Sequence, residues 1–259
     1  MISTFFEILS PLPLNTEADA RRLLGLWAEV APNLLPDRAG TYEPLKQPFS
    51  ITDTASLIAR WEYQVLFKRV AKPKLQSSVF MQYGPHRQHS TWKISIDDGG
   101  HPNLLELLSL AERAATEFSA DFGFVHRPTQ NDLDIGLASS SIAYLSRAKS
   151  RVSLFVTTHL LKKYIPDIYW VTLFGKPYVD LFSRERLLSA PAYRVRELDN
   201  GSVLVQLTEH PVTSRELPKD YEARKKLVKE HLNPNAFFSV EKGLDFKYSA
   251  PDFRWDTMH

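Results

Sequence analysis

The stretch Tyr193–Leu207, YRVRELDNGSVLVQL, decides the fold class. Asp199-Asn200-Gly201 supplies residues that tolerate positive φ, and strand-favouring Val195, Val203 and Val205 stand on either side, so the segment predicts an antiparallel hairpin of Tyr193 to Leu198 with Ser202 to Thr208. Just upstream, Ile168 to Phe174 is nearly continuous in apolar residues, which predicts a strand buried on both faces. Between the two, Ser183 is placed to cap a short helix, RERLLSA, that stops at Pro191.

Working towards the N-terminus, Val152 to Tyr164 reads as a helix ended by Pro166, and Phe122 to His126 as a short buried strand. The turn Asp97-Asp98-Gly99-Gly100 precedes a leucine-rich helix that Pro102 opens and that runs to about Phe118. Val79, Met81 and Tyr83 alternate on one strand and Trp92, Ile94 and Ile96 on another, which predicts a second hairpin. Thr52 or Asp53 is positioned to cap a helix whose stripe Leu57, Ile58, Trp61, Val65 and Leu66 extends it to Val70. Pro32 to Pro48 reads as a surface loop, Thr16 as the cap of a helix carrying Ala20, Leu23, Leu24, Trp27 and Val30, and Phe5 to Leu9 as a first strand.

Towards the C-terminus, Pro218 opens a last helix with Tyr221, Leu227, Val228 and Leu232, and the run Arg224, Lys225 and Lys226, balanced by Glu222 and Glu230, reads as a solvated face. Strands gathered in hairpins with helices between them predict an α+β fold, an antiparallel or mixed sheet with helices packed on it. A single globular domain over 1–259 is expected, with the weak pattern of 127–151 as the place for any subdivision. Each half gives helix, strand and hairpin, which allows a reading as two similar halves.

Composition narrows the function classes. Lys and Arg total 32 against 30 Asp and Glu, a net charge of +2, which lacks the concentrated positive field of a nucleic-acid-binding surface. Cysteine is absent, which excludes disulfides and thiol catalysis. The start, MISTFFEILSPLPL, has no basic residue before its apolar part and carries Glu7, Pro11 and Pro13, so it makes a poor secretory signal. No window reaches the roughly 18–20 apolar residues of a membrane span. A cytoplasmic protein with no membrane or direct nucleic-acid partner is the expectation.

Candidate chemistry is sparse. His86 and His89 in GPHRQHS have an H-x-x-H spacing, but no H-E-x-x-H pattern occurs, and two solvated loop histidines are the plainer account. Asp132 and Asp134 flank Leu133 and could share a hard cation. His126, with Asp121 and Asp132 near it in sequence, is the best general-base candidate, beside a plainer role closing its strand. An acid-base or metal-dependent enzyme built on His126, Asp132 and Asp134 is therefore the alternative function. No G-x-S-x-G elbow, phosphate-cradling loop or dinucleotide fingerprint is present.

The segment IYWVTLFGKPYVDLFSRERLLSAPAYRVRELDNGSVLVQLT, Ile168 to Thr208, is similar to the immunity protein 52-like family of bacterial polymorphic toxin and type VI secretion systems. The resemblance rests on Tyr169 and Trp170, then Phe174-Gly175 and Pro177-Tyr178, a short helix through Leu187 and Leu188, and the hairpin; it covers roughly the last hundred residues. It implies a protein that neutralises a cognate toxin by stoichiometric binding in the cytoplasm, without turnover, cofactor or metal. Tyr169, Trp170, Phe174, Gly175, Pro177 and Tyr178 are read mainly as structural, with Trp170 and Tyr178 as candidate interface residues.

Overall fold

The computed structural model describes residues 3–82, 88–97, 100–129, 132, 153–212 and 219–255, apart from the side chains of 100–103 and 219. Asp98, Asp134, His86, Pro218 and most of 127–151 lie outside the described residues.

Among the described residues nine strands form one sheet: β1 (Ser3–Ser10), β2 (Arg38–Gly40), β3 (Gln64–Arg69), β4 (Leu75–Phe80), β5 (Ser90–Asp97), β6 (Phe122–His126), β7 (Val171–Phe174), β8 (Arg194–Glu197) and β9 (Val203–Gln206). Their order is β2-β3-β4-β5-β1-β6-β7-β9-β8. Every strand pairing is antiparallel, so the α+β expectation resolves to an antiparallel sheet. Helices pack on it: α1 (Glu17–Val30), α2 (Ala55–Ile58), α3 (Gly100–Glu117), α4 (Thr158–Leu161), α5 (Lys176–Phe182), α6 (Arg184–Leu188) and α7 (Lys219–Leu232).

Side-chain alternation along the central strands divides two cores. Phe6 and Ile8 of β1, Val125 of β6 and Val171 and Leu173 of β7 point to one face, where they join Trp27 of α1 and Leu107, Leu110 and Ala114 of α3. Phe5, Leu9, Phe122, Phe124 and Phe174 point to the other, where Tyr178, Phe182, Leu187, Tyr221, Val228 and Leu232 cover them. The central strands are thus buried on both faces, which is why Phe122–His126 and Val171–Phe174 read as unbroken apolar runs.

The three strands nearest β6 on either side follow one pattern. On one side β1 leads through α1 to the β4–β5 hairpin, whose last strand returns beside β1; on the other β7 leads through α5 and α6 to the β8–β9 hairpin, whose last strand returns beside β7. The α1 and α3 helices lie on one face and α5, α6 and α7 on the other. Each side thus repeats the succession of strand, helix and hairpin, the arrangement expected of two similar halves.

Three local expectations need correction. The helix predicted to Val70 stops at Ile58, and Gln64–Arg69 is strand β3, with Val65 and Phe67 buried and Lys68 exposed. Trp61 ends the helix by turning inward and donating from Nε1 to the Leu14 carbonyl at 2.9 Å. The helix predicted over Val152 to Tyr164 is confined to Thr158–Leu161, capped by Thr157, whose side chain accepts from the Leu160 amide. Glu7 ties the segment before this helix to β1, its Oε2 accepting from the Val156 amide at 2.8 Å. The loop from Pro32 to Pro48 contains the edge strand β2.

Candidate functional site

Among the described residues, a cluster of four charged side chains, Asp132, Asp167, Lys225 and Lys229, sits beside His126 where β6 ends. His126 is buried against the Tyr169 ring, with centroids 5.3 Å apart. Its Nδ1 accepts from the Trp170 amide at 3.3 Å, and its Nε2 lies 2.9 Å from Asp132 Oδ2. A backbone N–H is an obligatory donor, so in neutral His126 the proton resides on Nε2 and is donated to Asp132. Both ring nitrogens are engaged.

Asp132 is equally committed. Its Oδ2 also accepts from the Thr129 amide at 2.7 Å and the Thr129 hydroxyl at 2.8 Å, while Oδ1 accepts from Lys225 Nζ at 3.1 Å. Lys225 bridges onward to Asp167, which also receives Lys229. Burial opposes ionisation of Asp132, but the Lys225 ammonium and then His126 outweigh it and hold the carboxyl well below its usual range. Burial likewise opposes the charge of Asp167, and Lys225 and Lys229 overcome it. Lys225 is desolvated too, yet Asp167 and Asp132 hold its ammonium well above the ordinary range. Two carboxylates and two ammonium groups therefore close on one another and tie α7 to the ends of β6 and β7.

The sequence brings His126 and Asp132 together as expected, but as members of this lock rather than as an open acid-base pair; Asp134 lies outside the described residues. Lys225, read as solvated, is only 4 % exposed. It falls on the stripe Tyr221, Lys225, Val228 and Leu232, at i, i+4, i+7 and i+11, whereas Leu227 is exposed. That spacing was the available signal; Asp167, in the loop before β7, had none.

His89 is also corrected: it is buried. Its Nδ1 lies 2.9 Å from Thr158 Oγ1 and its Nε2 3.1 Å from Asp121 Oδ2, a Thr-His-Asp chain. Burial pushes His89 down and Asp121 up. Thr158 Oγ1 also accepts the His89 amide at 2.9 Å, and Phe253 and Trp255 pack edge-on against the imidazole. The chain of hydrogen bonds pins the β4–β5 connection to α4 and the C-terminal segment.

Tyr169, Trp170, Phe174, Gly175, Pro177 and Tyr178 are all buried. Tyr169 stacks on Phe124 at 4.3 Å, Trp170 Nε1 donates to the Thr208 carbonyl at 2.8 Å, and Tyr178 packs between Phe122 and Phe174. Trp170 and Tyr178 therefore present no surface to a partner. Gly175 has an ordinary φ of −79°, and close approach explains it: a Cβ there would lie 2.1 Å from the Ala120 carbonyl oxygen.

The more open feature lies on the opposite end of the same sheet face. A concavity of about 250 Å³ over β3, β4 and β5 has Leu45 and Phe155 in its lining. Lys93 rises from its floor beside Glu7, with Nζ 3.4 Å from Oε1. Burial raises the Glu7 carboxyl to about 7 against the opposing pull of Lys93. Among the described residues no group of three or more His, Asp or Glu side chains is arranged to hold a metal, and no helix is long and apolar enough to cross a membrane.

With this geometry in hand, one likeness stands out. The fold resembles that of the Pseudomonas aeruginosa T6SS protein PA0821. The two match with a TM-score of 0.54 over 96 % of this chain and 78 % of that one, at 11 % sequence identity. No protein-family model and no curated protein matches the sequence. At that identity the likeness establishes a shared α+β architecture.

Proposed function

We propose that this protein is an immunity protein that binds and neutralises a cognate toxin of a bacterial secretion system, stoichiometrically and in the cytoplasm, acting by occupancy rather than turnover. The observation that carries the reading is the likeness of the whole fold, over 96 % of the chain, to a protein named for the T6SS. It joins the immunity protein 52-like pattern of Ile168 to Thr208, whose Tyr169, Trp170, Phe174 and Tyr178 are buried in the core. The engagement of both His126 nitrogens supports a binding protein over the acid-base alternative, because a general base needs a free lone pair within reach of a substrate.

Co-expression tests the reading. The product of the adjacent gene is induced in a bacterial host with and without this chain, and the pair is run on gel filtration at micromolar concentration. Growth rescue with a one-to-one complex is expected, since an interface of standard size supports nanomolar affinity. Equal killing in both strains, or rescue with the two proteins eluting apart, would overturn it.

A further inference from the structure

The two faces of the β3–β4–β5 segment are unequally covered. Val65, Phe67, Leu75, Val79, Trp92 and Ile94 face the helices and are buried. On the other face Lys68, Gln76 and Phe80 are exposed and Ser78 and Lys93 half-buried. Resting on the inhibitor reading above, we propose that the groove on this second face receives an acidic side chain of the partner protein, with Lys93 as its anchor.

The argument for an anion begins with donors. An ammonium has three N–H groups, and among the described residues the polar partner of Lys93 is Glu7 Oε1 at 3.4 Å. The rest of its surroundings are aromatic, with Nζ 4.6 Å from the Phe155 ring centroid and 5.6 Å from that of Phe80. Two rings and a strand pairing hold the ammonium in place with donors to spare, so a carboxylate meets a pre-organised charge. The charged residues lining the groove are Lys68, Lys93 and Glu43, a net excess of positive charge. Glu7 stands behind Lys93, where Val156 fixes its other oxygen, and its raised affinity for a proton leaves Lys93 incompletely neutralised near neutral pH.

Size and apolar lining select a protein over a nucleic acid. About 250 Å³ is below the roughly 300–1,000 Å³ of pockets for drug-sized ligands, and it holds one or two side chains. Leu45, Leu66, Phe80 and Phe155 offer contact to an apolar residue beside the carboxylate. Two lysines opposed by Glu43 are far from the phosphate-neutralising stripe that a nucleic acid requires.

The test uses the full chain, isotopically labelled, titrated with the peptide acetyl-Leu-Glu-Leu-Glu-Leu-amide and with its glutamine counterpart while amide and lysine resonances are followed. Expected are shifts at Ser78, Phe80, Lys93 and Ser95 with the acidic peptide and at least fivefold weaker binding of the glutamine peptide. Lys93→Met should weaken binding at least tenfold and Lys93→Arg should retain it. Ser78→Trp, which fills the groove, and Lys68→Glu, on its exposed rim, carry the test should Lys93→Met fail to fold. Equal binding of both peptides, shifts mapping away from the groove, no shift at millimolar peptide, or tighter binding there of decathymidylate would overturn the proposal. In the co-expression assay, a complex that Ser78→Trp and Lys68→Glu leave undiminished overturns the groove while the inhibitor reading stands. Acidic-peptide binding with no complex at all overturns the inhibitor reading instead.

Discussion

Lys225 Nζ lies 3.1 Å from Asp132 Oδ1, joining the last described helix to a residue just beyond the central strand β6. The contact is almost wholly desolvated, with 5 % of the lysine side chain and 12 % of the aspartate side chain exposed. Breaking one partner of such a pair leaves the other as an uncompensated buried charge.

Lys225→Met should therefore cost about 3–5 kcal/mol, the range for buried pairs broken from one side. Asp132 would then keep His126 and the Thr129 donors, and Asp167 would keep Lys229 and the Ile168 amide. Denaturant unfolding measures the loss, and a double-mutant cycle with Asp167→Asn should return a coupling above about 1 kcal/mol. A loss below about 1 kcal/mol would show that water screens the cluster as it does at a surface.

Gly175→Ala isolates close approach from backbone strain. The added methyl would meet the Ala120 carbonyl oxygen at 2.1 Å and Asp121 Cα at 2.7 Å, both backbone atoms, so β6 and the start of α5 must separate. A cost of about 3 kcal/mol is expected, the upper end for overpacking. Gly201→Ala is the contrasting case: its φ is +80° with open space around it, so only strain applies, about 1–2 kcal/mol. Equal midpoints for the two variants would refute the distinction.

Glu7 gives stability a pH dependence of defined sign. Its folded pKa, about 7, exceeds the ordinary 4.5, so between those values the folded state binds more protons than the unfolded chain. Its contribution is fully present below the unfolded value and is lost as pH rises through about 7, amounting to about 3 kcal/mol in the limit. His89 opposes this at the acid end, since its lowered pKa costs stability as pH falls below 6.5. The difference between wild type and Glu7→Gln removes the shared His89 term. Denaturation midpoints from pH 5 to 8.5 should fall for wild type relative to the variant, and parallel curves would sink the assignment.

The hairpin around Asp199-Asn200-Gly201 was legible because its turn chemistry is local; the structure adds that Asn200 Oδ1 accepts from the Ser202 amide at 3.1 Å. The Thr16 cap was legible for the same reason, and the structure adds that Asp19 completes a capping box with it. Strand β3 was not, since Leu57, Ile58, Trp61, Val65 and Leu66 fit a helical stripe, and only pairing with β4 in the register Val65↔Val79 decides between the two. At the candidate site, His126 and Asp132 were within reach because they lie close in sequence. Asp167 and Lys225 were not, because their partnership depends on α7 folding back over β7. The groove at Lys93 was invisible for a similar reason, since its lining draws on the loop after β2 and on the segment before α4.

His126 offers the sharpest separation of a structural role from a catalytic one. Its two nitrogens do different work: Nδ1 accepts from the Trp170 amide and Nε2 donates to Asp132. Asparagine places an acceptor near Nδ1 and glutamine places a donor near Nε2, so each keeps one half of the arrangement. His126→Ala keeps neither and leaves the Trp170 amide buried without a partner, a penalty of about 1–3 kcal/mol. The expected order of stability is wild type, then His126→Asn and His126→Gln, then His126→Ala, read from denaturant midpoints by circular dichroism. Growth rescue should follow that order of stability. A His126→Asn variant that keeps wild-type stability but loses all protection would place the imidazole in chemistry rather than in the fold.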